Sequence, residues 1–223
     1  MRESLLALIA DPGRMMLFSA EVYASIVAAY NRVSLPVIVL AAAGGTVLVA
    51  RLARGSSIHA GAVFAVLAAL WLWVGLVFHA VHYRPINWAA GTFAAISAVQ
   101  CLSFALYAMT AGRRTVVSSS GCGGRLGTAW LVLALAFAPV SILLGTGPWA
   151  APYFAASPAT LAWVTLGVVL CTGGRAWWHA ALVAPVAIVE GFTAWGLDDR
   201  LAVAVWLLFA ASVIAAPFCR RRS

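Results

Sequence analysis

An all-α membrane protein, a bundle of about seven transmembrane helices preceded by an interfacial amphipathic helix, is the fold class this sequence predicts. Three observations lead there. Hydrophobic residues make up 64% of the 223 and charged residues only 9%, too little polar surface to cover a soluble globule of this size. The apolar residues fall in runs of roughly 17 to 25, the length that crosses about 30 Å of hydrocarbon at about 1.5 Å per residue. The arginines stand singly or in short clusters at the ends of those runs, where membrane topology places them.

The opening apolar stretch, residues 5–10, is shorter than a signal-peptide core and is broken by Asp11-Pro12, so the amino terminus is expected to be retained. Within residues 1–32, Phe18, Val22, Tyr23, Ile26, Val27 and Tyr30 recur at helical spacing, with Ser19, Glu21, Ser25 and Asn31 on other faces. That pattern describes a helix lying in the interface. Spans are expected near 33–50, 58–81, 86–109, 126–144, 158–174, 177–195 and 201–218, all within a single integral membrane domain over 1–223. The fifth run is short and must extend towards Gly174 to cross; the alternative is a re-entrant segment. Ser157-Pro158 is a good start for it, a capping hydroxyl followed by a residue that loses no intrahelical donor at the first helical position. Residues 145–157, with Trp149, Tyr153 and Phe154 among glycine and proline breaks, read as a loop at headgroup depth.

With seven alternating spans and the carboxyl terminus inside, Arg51, Arg54, Arg113, Arg114, Arg125, Arg175, Arg220, Arg221 and Arg222 are internal. Arg2, Arg14, Arg32, Arg84 and Arg200 are external, and nine against five favours this orientation, in a cell inner membrane with the amino terminus outside. Glu3, Asp11, Glu21, Asp198 and Asp199 are then external, leaving Glu190 as the one acid inside a span. No internal repeat supports an inverted-repeat transporter design.

Composition also excludes. All 14 basic residues are arginine, so chemistry needing a Schiff base on lysine is ruled out despite the net charge of +8. Scattered arginines argue against a nucleic-acid partner. Cys101, Cys122, Cys171 and Cys219 have no CxxC or framework spacing and read as free thiols. Residues 118–124, SSSGCGG, lack the lysine and spacing of a phosphate-binding loop and read as a flexible inner linker. Without GxSxG, HExxH or another hydrolase signature, the balance leans away from an enzyme, and no cofactor is implied.

Ionisable groups in hydrocarbon call for a partner, a cavity or a function. Glu190 lies about 7 to 8 Å below the outer end of its helix. His79 and His82, three residues apart on the second span, would share one helix face at a similar depth. If the second and sixth spans touch, these three could form a proton relay or a metal site open to the outer face; which metal is unknown. The plainer alternative is a protonated Glu190 bonded to a neighbouring helix and histidines at the interface. Gln100, flanked by Ser97, Cys101 and Ser103, would line a polar path or simply bond helix to helix. His179, beside Trp177 and Trp178, reads as an interfacial anchor.

Several strings carry a resemblance: Leu17-Phe18-Ser19, Tyr23, Tyr30-Asn31 through Pro36, Trp71-Leu72-Trp73, Phe78-His79, and Tyr83 through Ile86-Asn87-Trp88-Ala89-Ala90. Ser157-Pro158-Ala159-Thr160, Leu166-Gly167 and Gly196-Leu197-Asp198-Asp199 extend it over nearly the whole chain. The sequence resembles an uncharacterised bacterial membrane family, domain of unknown function 6064. The resemblance implies a multi-pass bacterial inner-membrane protein without an assigned activity. It also draws attention to Tyr83, Asn87 and Trp88 at the outer turn, as a binding cluster or as structural residues, with Asn87 capping the third helix.

The reading that follows is a small-solute or ion-coupled permease using polar groups buried among the helices. A non-transporting accessory or assembly subunit, and a membrane enzyme acting on a lipid or quinone, are the alternatives. The expected partners are the lipid bilayer, a small solute or ion, and other membrane subunits.

Overall fold

The computed structural model describes residues 16–220; the stretch 5–10, Asp11-Pro12, Glu3, Arg2, Arg14, Arg221 and Arg222 lie outside the described residues. Most of the described residues are helical. Helix α1 (Ala20–Val33) is followed by α2 (Leu35–Ala53), α3 (Ala60–Trp73, continuing as a π-helix over Val74–Tyr83) and α4 (Ala90–Met109). Then come α5 (Gly121–Leu143), α6 (Pro158–Cys171), α7 (Val183–Gly196, entered through a 3-10 turn over Trp177–Ala180) and α8 (Arg200–Arg220).

Among the described residues, six helical segments are long and apolar enough to cross a membrane: Leu35–Ala53, Ala60–Tyr83, Ala90–Met109, Gly121–Leu143, Trp177–Gly196 and Arg200–Pro217. Their outward faces are apolar too, with Leu40, Val47, Leu102, Leu207 and Ile214 all exposed. A surface as apolar as the interior is compatible with hydrocarbon around it. Helix α6 is the exception, at 14 residues. Every residue in it except Ala159 is buried, so it is the axis around which the longer helices pack. A helix apolar on all sides has to be wrapped in protein or lipid, and here protein wraps it.

Close approach to α6 depends on small residues. A Cβ on Gly127 of α5 would collide with the Gly167 carbonyl of α6 and lie 2.7 Å from Cys171 Sγ, so the two backbones meet where neither carries a side chain. Trp163 of α6 meets Phe137 of α5 edge to face at 4.7 Å and Trp206 of α8 at 5.5 Å. The Trp71 indole of α3 donates to Thr165 Oγ1 at 3.1 Å, and that of Trp130 to Ser212 Oγ at 3.0 Å, whereas Trp163 Nε1 has no partner among the described residues.

Contacts between loops sort the helix ends into two groups. At the first end, Tyr30 donates to the Ala156 carbonyl at 2.6 Å, and Asn31 Nδ2 donates to the carbonyls of Trp149 and Ala151. At the second end, a two-residue antiparallel pairing sets Ile58 opposite Val117 and His59 opposite Val116. There the Ser118 amide also donates to the Cys171 carbonyl, Ser119 Oγ donates to the Leu52 carbonyl, and Cys122 is bonded to Cys219.

Several expectations are corrected. Asn31, off the apolar stripe of α1, is nevertheless buried, because its amide is what holds the loop of residues 145–157. That loop turns inward: Ala151, Phe154, Ala155 and Ala156 are buried, and the Phe154 ring fills the space a side chain on Gly45 would take. Residues 121–124 are not a linker but the first turn of α5, since Gly124 packs on the backbone of Ser118 and Ser119 where a Cβ would meet it at about 2.5 Å. Cys122 and Cys219, read as free thiols, form a disulfide across 97 residues; Cys101 and Cys171 are free. The sixth run is broken near Ala180, so regular helix starts only at Val183.

Candidate functional site

Helix α1 begins where Ser19 caps it, its Oγ accepting from the Val22 amide at 3.4 Å. Its inner face carries Tyr23, Val27 and Tyr30 towards the first end of the bundle. There α1, the end of α5, the start of α6, the end of α7 and the approach to α8 enclose a cavity of about 420 Å³. Tyr23, Tyr30, Phe78, Phe137, Trp163 and Trp206 form its aromatic walls, while Ser141, Thr193, Asp199 and Glu190 add polar groups.

The polar groups differ in how far they are engaged. Ser141 Oγ donates to the Ala138 carbonyl at 2.9 Å. Ser157 Oγ caps α6 by accepting from the Thr160 amide, and Asp199 Oδ1 accepts from the Ala202 amide at 2.9 Å, so both helix N-termini at the cavity are capped by their own side chains. Glu190 is different. It is partly exposed, lines the cavity, and has neither hydrogen bond nor ion pair among the described residues. Its charge acts on Tyr23: burial first, then Glu190, Tyr83 and Asp199, hold the Tyr23 phenol well above its usual range.

The two histidines part company with this carboxylate. The π-helix changes the angular step between residues, so positions three apart no longer share a face as they would on an α-helix. His79 is buried among Phe78, Tyr83 and Phe93, and neither ring nitrogen has a partner among the described residues. His82 turns to α1, its ring 5.9 Å from that of Tyr30, with Nδ1 2.8 Å from the Val77 carbonyl of its own helix. Among the described residues no three of His, Cys, Asp and Glu come together as a metal site would require. Tyr83 is the link, packing on His79 while sharing the neighbourhood of Tyr23 and Phe18.

Gln100 lies elsewhere. Its Nε2 donates to the His179 carbonyl, while Ser103 Oγ sits 3.0 Å from His179 Nδ1 and Tyr107 packs against the imidazole. The 3-10 turn is thus fastened to α4, a helix-to-helix role that leaves Gln100 Oε1 without a partner. The outer-turn trio also divides: Tyr83 is buried, Asn87 Oδ1 accepts from the Ala89 amide at 2.9 Å to organise the turn ahead of α4, and Trp88 is 85% exposed. Sequence reasoning singled out Glu190 by its depth in an apolar run. It missed Tyr23, Trp163 and Trp206 as walls, because aromatic residues at helical spacing read as packing and nothing local says they border a void.

At the second end a further cavity, about 460 Å³, lies between the start of α5, the end of α6 and the end of α8, with Gly123, Leu170 and Pro217 among its walls. Trp163 and Leu170 mark the two cavities on one helix, seven residues and about 10 Å apart.

No curated protein and no solved structure matches the chain. A family model does match, over residues 20–195, a range that takes in α1 through nearly all of α7 and includes Glu190. The chain belongs to the Family of unknown function (DUF6064).

Proposed function

We propose that this chain is a small-solute permease whose coupling ion, a proton or another cation, is held at Glu190. One observation carries the reading: an unpaired carboxylate in an apolar helix borders a cavity at one end of the bundle. Such a group is costly unless a cavity or a ligand offsets it. The second cavity along α6 supports the reading further, since vestibules at opposite ends of one buried helix suit alternate opening from either side. In this proposal the first end faces outward and the second, richer in arginine, faces the cytoplasm of a cell inner membrane.

Concentration jumps of cationic, zwitterionic, anionic and neutral solutes across proteoliposomes test it, read as capacitive current and as internal pH. At least one class should produce a signal that Glu190→Gln abolishes in a protein of unchanged elution profile. Silence from every class with the natural protein would refute the permease reading.

A further inference from the structure

We propose that the first-end cavity is a site for a small organic ammonium ion. The proposal rests on the permease reading above; it takes the cavity that Glu190 borders as the substrate site and adds the chemistry of the substrate.

Charge comes first. Among the described residues lining the cavity there is no arginine and no histidine, although the chain as a whole carries a net +8. Its acids are Glu190 and Asp199, and Asp199 already caps α8. Glu190 is therefore the cavity's carboxylate without a hydrogen bond or ion pair among the described residues. The groups within reach of its charge are Tyr23 from α1 and Tyr83 from α3, neither of which supplies positive charge. Helix ends of both signs reach the cavity, the C-termini of α5 and α7 at Leu144 and Leu197 and the N-termini of α6 and α8 at Ser157 and Asp199, so the helix dipoles offset one another and the carboxylate sets the sign.

The walls then choose among cations. A metal ion needs a shell of oxygen ligands, but Ser141 and Ser157 spend their hydroxyls on the protein. Beside the hydroxyls of Thr146 and Thr193, most of what remains is aromatic. Phe137, Trp163 and Trp206 meet edge to face along one side, and Tyr30 meets Phe78 the same way at 5.2 Å on another. Aromatic walls and a carboxylate around a void of about 420 Å³ suit an alkylated ammonium.

Calorimetric titration of the detergent-solubilised full chain with choline, and with 3,3-dimethylbutanol as its uncharged carbon analogue, tests the assignment. Choline should bind at least about tenfold more tightly than the alcohol, and Glu190→Gln should remove that preference. Trp206→Leu should weaken choline by roughly tenfold while Trp88→Leu, on an exposed residue, leaves it unchanged. Equal binding of choline and alcohol, or an unchanged preference in Glu190→Gln of normal thermal stability, would overturn the assignment. Because binding needs no transport, choline binding without flux would sink the permease reading alone, and flux of other solutes without choline binding would sink this inference alone.

Discussion

The Tyr30 phenol donates to the carbonyl of Ala156 across 126 residues of sequence, at 2.6 Å. That bond joins α1 to the inward-turned loop before α6, and with Asn31 it closes one wall of the cavity that Glu190 borders. Tyr30→Phe removes the donor and leaves a buried carbonyl unpaired. It should cost about 1–3 kcal/mol, read as a lower thermal midpoint in detergent. An unchanged midpoint would mean the loop is held by other contacts.

The same phenol gives a pH dependence. Burial pushes it up from its usual 10.0 to about 12, an effect that hydrogen bonds with Ser34 and Trp73 partly offset. The folded chain holds this proton more tightly than the unfolded chain. The stability it contributes is therefore complete below pH 10.0 and is lost as pH rises towards about 12. Thermal midpoints followed into that alkaline window should fall in the natural protein and fall less in Tyr30→Phe.

Gly127 and Gly44 make a matched pair. A Cβ at Gly127 would run into α6, whereas one at Gly44 meets nothing within 4 Å. Gly127→Leu should therefore destabilise by about 1–3 kcal/mol or more through overpacking. Gly44→Leu should be close to neutral. Equal effects at both positions would show that α5 and α6 do not approach as closely as described.

His79 has neither ring nitrogen satisfied although it is 2% exposed. A buried group without partners costs about 1–3 kcal/mol, so His79→Phe should leave the protein as stable or more so. A large loss of stability would mean that the imidazole finds partners in the membrane.

How much of this was legible in the sequence follows from what each feature depends on. Helices show themselves through apolar run length, and Leu35–Ala53 or Arg200–Arg220 needed little else. The π-helix over Val74–Tyr83 did not, since a change in hydrogen-bond register leaves no mark on composition, and with it went the assumption that His79 and His82 share a face. The Cys122–Cys219 bond was silent because pairing across 97 residues depends on which ends of α5 and α8 come together. Glu190 was visible as an acid in an apolar run, while the aromatic walls around it exist only once five elements converge.

Reduction should free the second end. The Cys122–Cys219 bond ties the start of α5 to the end of α8 beside the second cavity. Cys219→Ser should lower stability by about 2–4 kcal/mol and abolish any difference in gel mobility between oxidised and reduced samples. Alkylation of both thiols in freshly isolated membranes without reductant would contradict the bond.

The central claim is that Glu190 stands in a water-accessible, cation-selecting cavity at one end of the bundle. Thiol accessibility at Thr193, one turn along α7 from Glu190 and on the same cavity wall, tests it most directly. In a Cys101→Ser, Cys171→Ser background, Thr193→Cys should react with a trimethylammonium methanethiosulfonate from one side of the membrane, faster than with its sulfonate counterpart. Choline should slow that reaction. No modification from either side, or equal rates with both reagents, would contradict the account.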